Sequence, residues 1–241
     1  MPNSRVTPLE GVKARISLAC ARVGRDPAEV RLVAVTKGQS AARIEREVLE
    51  AGHRLLGESR IQEWRQKAEG LAGVDWHFIG NLQTNKVKYC RGFSLIHSLN
   101  SARLADALES FGRKRGHTFG VLLEVNVAGE EAKQGVSLKD AHALAAYVSS
   151  LSFVRLQGLM TIAPYVGDPE ASRHLFRKLR ELRDTLGLSE LSMGMTGDFE
   201  VAVEEGASYV RVGSALFPET RPRVVEAAED REDGVKESHE T

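Results

Sequence analysis

The chain has 241 residues, 42% hydrophobic and 27% charged, which is enough apolar material for one sizeable core. Thirty-three basic residues balance thirty-three acidic ones, so no net field favours nucleic acid or an anionic membrane as principal partner. The N-terminus has no apolar signal core and no run approaches a membrane span, while Cys20 and Cys90 lack CxxC or metal spacing; a reducing, cytoplasmic setting is expected.

Leu9, Val12, Ile16 and Cys20 recur at helical spacing behind Thr7-Pro8, which predicts a first helix over 7–23, broken by Gly24 and Pro27. A buried strand over 30–35 follows, and its apolar run stops at Lys37. Helices are then predicted over 40–51 and 60–71, around 86–89, and over 101–115, 137–149, 169–186 and 198–205. Between them lie strands over 53–56, 75–79, 93–97, 119–127, 153–160, 190–193 and 208–212, with a polar loop after 127. Eight strand-then-helix units imply a single (β/α)8 TIM barrel over 1–218, an open doubly wound sheet being the alternative. Residues 219–241 are charged with few large apolar side chains, and a disordered tail is expected there.

Side chains alternate along a strand, so Lys37 shares a face with Val33 and Val35 and should sit at the end of a core. Burial there would lower its pKa and leave a neutral amine, a nucleophile toward aldehydes of the kind that makes a Schiff base. The plainer alternative is a lysine that ends a strand by reaching for solvent.

Barrel active sites lie at the C-terminal ends of the strands. That rule collects Lys37, Glu58, Ser59, His77, Asn81, His97, Asn126 and Met160, then the runs Ser192-Met193-Gly194 and Arg211-Val212-Gly213-Ser214. The last two runs are rich in small residues and hydroxyls, Ser192, Thr196 and Ser214 among them. Barrels frequently hold a phosphate between the loops after the seventh and eighth strands. An imine-forming lysine facing a phosphate cradle suits a phosphorylated aldehyde, with pyridoxal 5′-phosphate (PLP) the obvious candidate. Arg211 would then donate to the pyridine nitrogen and, staying protonated, make the cofactor a weak electron sink. Its alternative is an ion pair with Glu124.

The segments VAVTK ending at Lys37, LGESRIQE, WHFIGNLQTNK, IHSLNS, LEVNVAGEEAKQGV, GLMTIAP, LSMGMTGDFEVAVEEG and VRVGSALF occur in that order. Together they resemble the YggS/PROSC family of pyridoxal phosphate homeostasis proteins over nearly the whole chain except the tail. The resemblance implies a fold type III barrel like the N-terminal domain of alanine racemase, binding PLP through Lys37. It further implies that Ser192 and the Gly213-Ser214 turn hold the phosphate and that Arg211 faces the pyridine nitrogen. Met193, Thr196, His77, Asn81 and Met160 are further expected cofactor contacts, with Ser59 near the ring, and Lys133 is a weaker second candidate for the aldehyde. Departures from the family pattern are Ser59 for an asparagine, Gly38-Gln39-Ser40 after the lysine, Thr196 for a serine, and Pro218 for a glycine.

The implied role is to carry and buffer the cofactor, without turnover and with no metal, possible recipients being PLP-dependent apo-enzymes. The competing readings are an amino-acid racemase or a cofactor-free Schiff-base aldolase. Racemisation needs acid/base groups on both faces of the substrate carbon. One barrel uses up the chain and supplies no appended tyrosine domain, which also favours a monomer.

Overall fold

Among the described residues, nine strands follow one another: β1 Arg31–Val35, β2 Leu55–Glu58, β3 Asp75–Phe78, β4 Leu95–Leu99, β5 Phe119–Asn126, β6 Val136–Ser137, β7 Val154–Met160, β8 Glu190–Ser192 and β9 Tyr209–Val212. Every pairing is parallel, in the order β4-β3-β2-β1-β9-β8-β7-β5, and β4 pairs back onto β5 to close the barrel. The short β6 adds only to the end of β5, through Val125 and Asn126. The computed structural model describes residues 6–130, 134–164 and 167–218, so the expected tail and Lys133 lie outside the described residues.

The helices are α1 Pro8–Arg22, α2 Ala41–Ile44, α3 Ile61–Ala68, α4 Ala102–Arg115, α5 Leu138–Ser149, α6 Arg173–Thr185 and α7 Phe199–Glu204. Most begin as the sequence dictates. Thr7 and Glu10 form a reciprocal capping box with Pro8 in the first turn, and Ser101 and Ser137 cap α4 and α5. Leu9, Val12, Ile16, Ala19 and Cys20 bury one stripe of α1, which packs against α7 and the segment after α2. The helix that precedes β1 thereby covers the flank between the last and first strands.

Two apolar layers result. Val33, Leu95, Leu122, Met160 and Tyr209 fill the barrel interior, while the larger core lies between the strands and the helices. Some element bounds differ from expectation for local reasons. Gly57, just beyond the strand expected over 53–56, lies inside β2, where a Cβ would come within 2.7 Å of Val33 Cγ1. The helix after β1 passes from α2 into a π-turn over Glu45–Leu49, and the segment Thr84–Gly92 is 3₁₀ rather than α. Strand β6 falls just after the expected polar loop over 128–135 and takes in Ser137, expected to start the next helix.

Candidate functional site

At the C-terminal ends of the strands the barrel opens into a cavity of about 440 Å³, a size suited to a small cofactor. Lys37, Ser59, Thr196, Arg211, Gly213 and Ser214 line it, as expected. Val35, Ile79, Ile162, Pro164 and Pro169 supply apolar wall, and Ser172 and Asp198 add polar groups not foreseen from the sequence.

Lys37 stands two residues beyond β1, and the residues on either side of it are pinned. Thr36 Oγ1 donates to Glu58 Oε1 at 2.7 Å, and Lys67 Nζ donates to the Thr36 carbonyl at 2.7 Å. Lys67 also forms a close ion pair with the fully buried Glu58. The Gly38 N–H donates to Glu63 Oε2 at 2.9 Å, and that bond, joined by the Lys67 and Arg60 charges, holds the Glu63 carboxyl below its usual range. Glu63 and Lys67 lie on α3, so this helix clamps the turn that carries Lys37. Lys37 itself is exposed, contrary to the burial expected from its strand face. The ladder ends at Val35, the turn begins immediately after Thr36, and the amine reaches the open mouth of the cavity.

Arg211 is 5% exposed. Its Nη1 donates to Ser192 Oγ at 2.5 Å and its Nη2 to the Thr161 carbonyl at 2.9 Å, leaving further N–H groups for the cavity. These two bonds go to neutral oxygens and not to Glu124. Burial pushes the guanidinium down to about 10, against the nearby Asp198 and Glu124 carboxylates, so it stays cationic at neutral pH. Burial likewise raises the Glu124 and Asp198 carboxyls, in both cases against the Arg211 charge. In the loop after β8, Gly194 has φ +89° and packs too close to Phe199 and Ala202 for any Cβ. The loop is then tied by the Met195 N–H donating to Asp198 Oδ1 at 2.7 Å.

Five expected contacts do not line the cavity: Ser192, Met193, His77, Met160 and Asn81. Ser192 is fully buried, with its hydroxyl held between Arg211 and His97. Met193, the next residue, points the other way into the core between strands and helices. Met160 belongs to the inner apolar cluster, and His77 bonds His97 inside the barrel. Asn81 is exposed beyond β3. For His77, Met160 and Ser192 the cause is period-two geometry. The last inward residue of each paired strand lies one layer below the rim, and Ile79 and Ile162, two residues further on, reach the cavity instead. The α3 clamp went unforeseen, although Lys67 falls on the stripe of Ile61, Trp64 and Ala68, an unusual place for a solvated lysine.

Among the described residues, no group of three or more His, Cys, Asp or Glu side chains could hold a metal ion. No described helix is long and apolar enough to cross a membrane.

Comparison with known proteins matches residues 9–220 to the family "Alanine racemase, N-terminal domain". The pyridoxal phosphate homeostasis protein of Aquifex aeolicus is 47% identical over 222 residues, covering 88% of this chain and 97% of that one. A protein of Bifidobacterium adolescentis whose crystal structure is described as that of an unknown protein superimposes with a TM-score of 0.82 at 39% identity, over 87% of this chain and 93% of the other. PipY of Synechococcus elongatus, solved with PLP bound, gives a TM-score of 0.73 at 36% identity, over 86% and 99%.

Proposed function

The chain belongs to the alanine racemase N-terminal domain family and, within it, to the pyridoxal phosphate homeostasis proteins, and we propose that it binds pyridoxal 5′-phosphate in order to carry and buffer it. One observation carries this reading: a primary amine, a buried arginine and a run of hydroxyls converge on one cavity of about 440 Å³.

The residues present fit the group. Thr196, Gly213 and Ser214 are all in the lining, and their hydroxyls and backbone N–H groups are the kind of donor a phosphate dianion requires. Gly213 packs closely on β1, where a Cβ would press on Val35 at 3.3 Å. Arg211, with protons to give and none to take, faces where a ring nitrogen is best left unprotonated. When bound, the cofactor supplies an aldehyde that a primary amine captures as an imine. Lys37 is the amine in the lining, and its pinned neighbours Thr36 and Gly38 hold it at the mouth.

The absorbance spectrum of the purified protein before and after borohydride tests this. A yellow protein whose chromophore is reduced onto the chain in the wild type and lost in Lys37→Ala supports it. A colourless protein that takes up no added PLP sinks it, and the aldolase reading would then predict borohydride trapping only with an added carbonyl substrate.

We favour a carrier over an enzyme because no tyrosine lines the cavity among the described residues. Tyr209 is buried in the barrel, and Tyr147 bonds Asp106 on the outer surface. Asp198 is the carboxylate in the lining, and its Oδ1 is engaged by a backbone N–H. Racemisation of an amino acid by the loaded protein, abolished by Asp198→Asn, would overturn the carrier reading. As a carrier it acts in the cytoplasm, as a monomer, with PLP-dependent apo-enzymes as recipients.

A further inference from the structure

Below the cavity, the barrel interior holds a run of polar side chains that apolar packing would ordinarily replace. His77 Nδ1 lies 2.9 Å from His97 Nε2, His97 Nδ1 lies 2.8 Å from Ser192 Oγ, and Ser192 Oγ receives Arg211 Nη1 at 2.5 Å. At the far end His77 Nε2 faces Asp75 Oδ2 at 3.8 Å, on a side chain that is 53% exposed at the opposite rim. His97 and Ser192 are fully buried and His77 is 3% exposed, so water does not compete for these bonds. The run starts on β3, passes to β4, crosses the barrel to β8 and ends on β9.

Donor and acceptor chemistry fixes its direction. Arg211 can only donate, so Ser192 Oγ accepts from it and has one proton of its own to give. The other partner of that hydroxyl is His97 Nδ1, which therefore carries a lone pair, and the His97 proton sits on Nε2 and is donated to His77 Nδ1. The His77 proton then sits on Nε2, directed at Asp75. The reverse arrangement fails at both ends. It leaves the Ser192 hydroxyl proton without an acceptor, and it turns an imidazole lone pair toward the Asp75 carboxylate. A protonated His97 would have no lone pair for Ser192, and burial, followed by the charges of His77, Arg211 and Arg31, favours the neutral ring. The Tyr209 ring, 5.4 Å from His77 and 5.6 Å from His97 between centroids, closes the remaining side.

We propose that His97 is a positioning residue for the cavity: as the neutral Nε2–H tautomer it orients the Ser192 hydroxyl, and Ser192 in turn fixes the guanidinium of Arg211. The consequence is an arginine whose two anchoring hydrogen bonds go to neutral oxygens, with Asp198 and Glu124 near but not bonded to it, so its remaining donors stay available to a ligand. The negative end of the chain, Asp75, is placed at the opposite rim. The effect on a bound cofactor rests on the PLP reading above, whereas the tautomers do not.

Two measurements test this. Long-range ¹⁵N–¹H NMR of the imidazoles in the cofactor-free protein at pH 7, assigned with His77→Gln and His97→Gln, should find both rings neutral with the proton on Nε2. A proton on Nδ1 of His97, or a charged ring there, overturns the proposal whether or not PLP binds. In the loaded protein, His97→Leu and Ser192→Ala should each speed PLP loss on dialysis roughly tenfold and shift the absorbance maximum. The double variant should do no more than either single change, and His97→Gln, which offers a carbonyl acceptor, should recover part of the loss. A wild-type release rate and spectrum in folded Ser192→Ala, or additive losses in the double variant, would also overturn it. Failure of the wild type to bind PLP would sink the cofactor reading alone and leave the NMR result to decide the chain.

Discussion

Lys37 is an exposed side chain, so its part in the site comes from where it is held and not from being removed from water. In the proposed reading the phosphate meets several hydroxyl and backbone donors, and the ring a single anchored cation. Charge-assisted bonds to a dianion are the stronger class, so Thr196→Ala/Ser214→Ala should raise the PLP dissociation constant more than Arg211→Ala does, by roughly tenfold or more against a few-fold. Equilibrium dialysis followed by absorbance ranks the two, and a reversed order would move the phosphate elsewhere. The histidines below have a separate consequence. Burial drives His77 down to about 4 and His97 well below the ordinary imidazole value. An unfolded chain takes up protons on both near pH 6.5 while the folded chain resists. Stability is therefore lost as the pH falls from about 6.5 toward 4. The urea midpoint of the wild type should fall more steeply over that window than that of His77→Gln, and parallel slopes would refute the assignment.

At the level of elements, helix α3 controls the turn after β1. The buried Lys67–Glu58 pair ties Thr36, and Glu63 ties Gly38, so the two residues flanking Lys37 answer to a helix that never touches the cavity. Removing one partner of a buried pair leaves an uncompensated charge, whereas replacing both with apolar side chains is often nearly neutral. Lys67→Met should cost about 3–5 kcal/mol in urea unfolding, and Lys67→Met/Glu58→Leu should recover most of it. The double variant should still trap PLP on Lys37 more slowly in stopped-flow absorbance, because Thr36 then keeps only the Gly57 carbonyl and the Gln39 N–H and loses its ties to Glu58 and α3. Full recovery of both stability and trapping rate would reduce the clamp to a packing device.

For the whole molecule, barrel closure depends on α1, which lies first in sequence and covers the flank where the last strand meets the first. It buries Leu9, Val12, Ile16, Ala19 and Cys20 against α7 and its neighbours. At about 1.5–3 kcal/mol for each large aliphatic side chain, losing that stripe removes much of the roughly 5–15 kcal/mol by which domains are stable. A chain starting at Gly24 should lose its cooperative thermal transition by circular dichroism and bind a dye for exposed apolar surface. A truncated chain that melts like the full one would show that the flank needs no cover.

The alternation of Val33, Val35 and Lys37, and of Tyr209, Arg211 and Gly213, was enough to aim these residues into the barrel, because inward and outward faces follow from strand geometry alone. The number of strand-and-helix units likewise determined a closed parallel barrel, since right-handed crossovers leave few other ways to bury such strands. Depth was not legible. His77, Met160 and Ser192 sit one layer below the cavity and Lys37 stands above the last layer, because each strand's stagger is set by its neighbours' register and not by its own residues. Nor could the sequence join Glu58 to Lys67, or His97 on β4 to Ser192 on β8. Those bonds span 9 and 95 positions, and only closure of the barrel and the docking of α3 bring their atoms within reach.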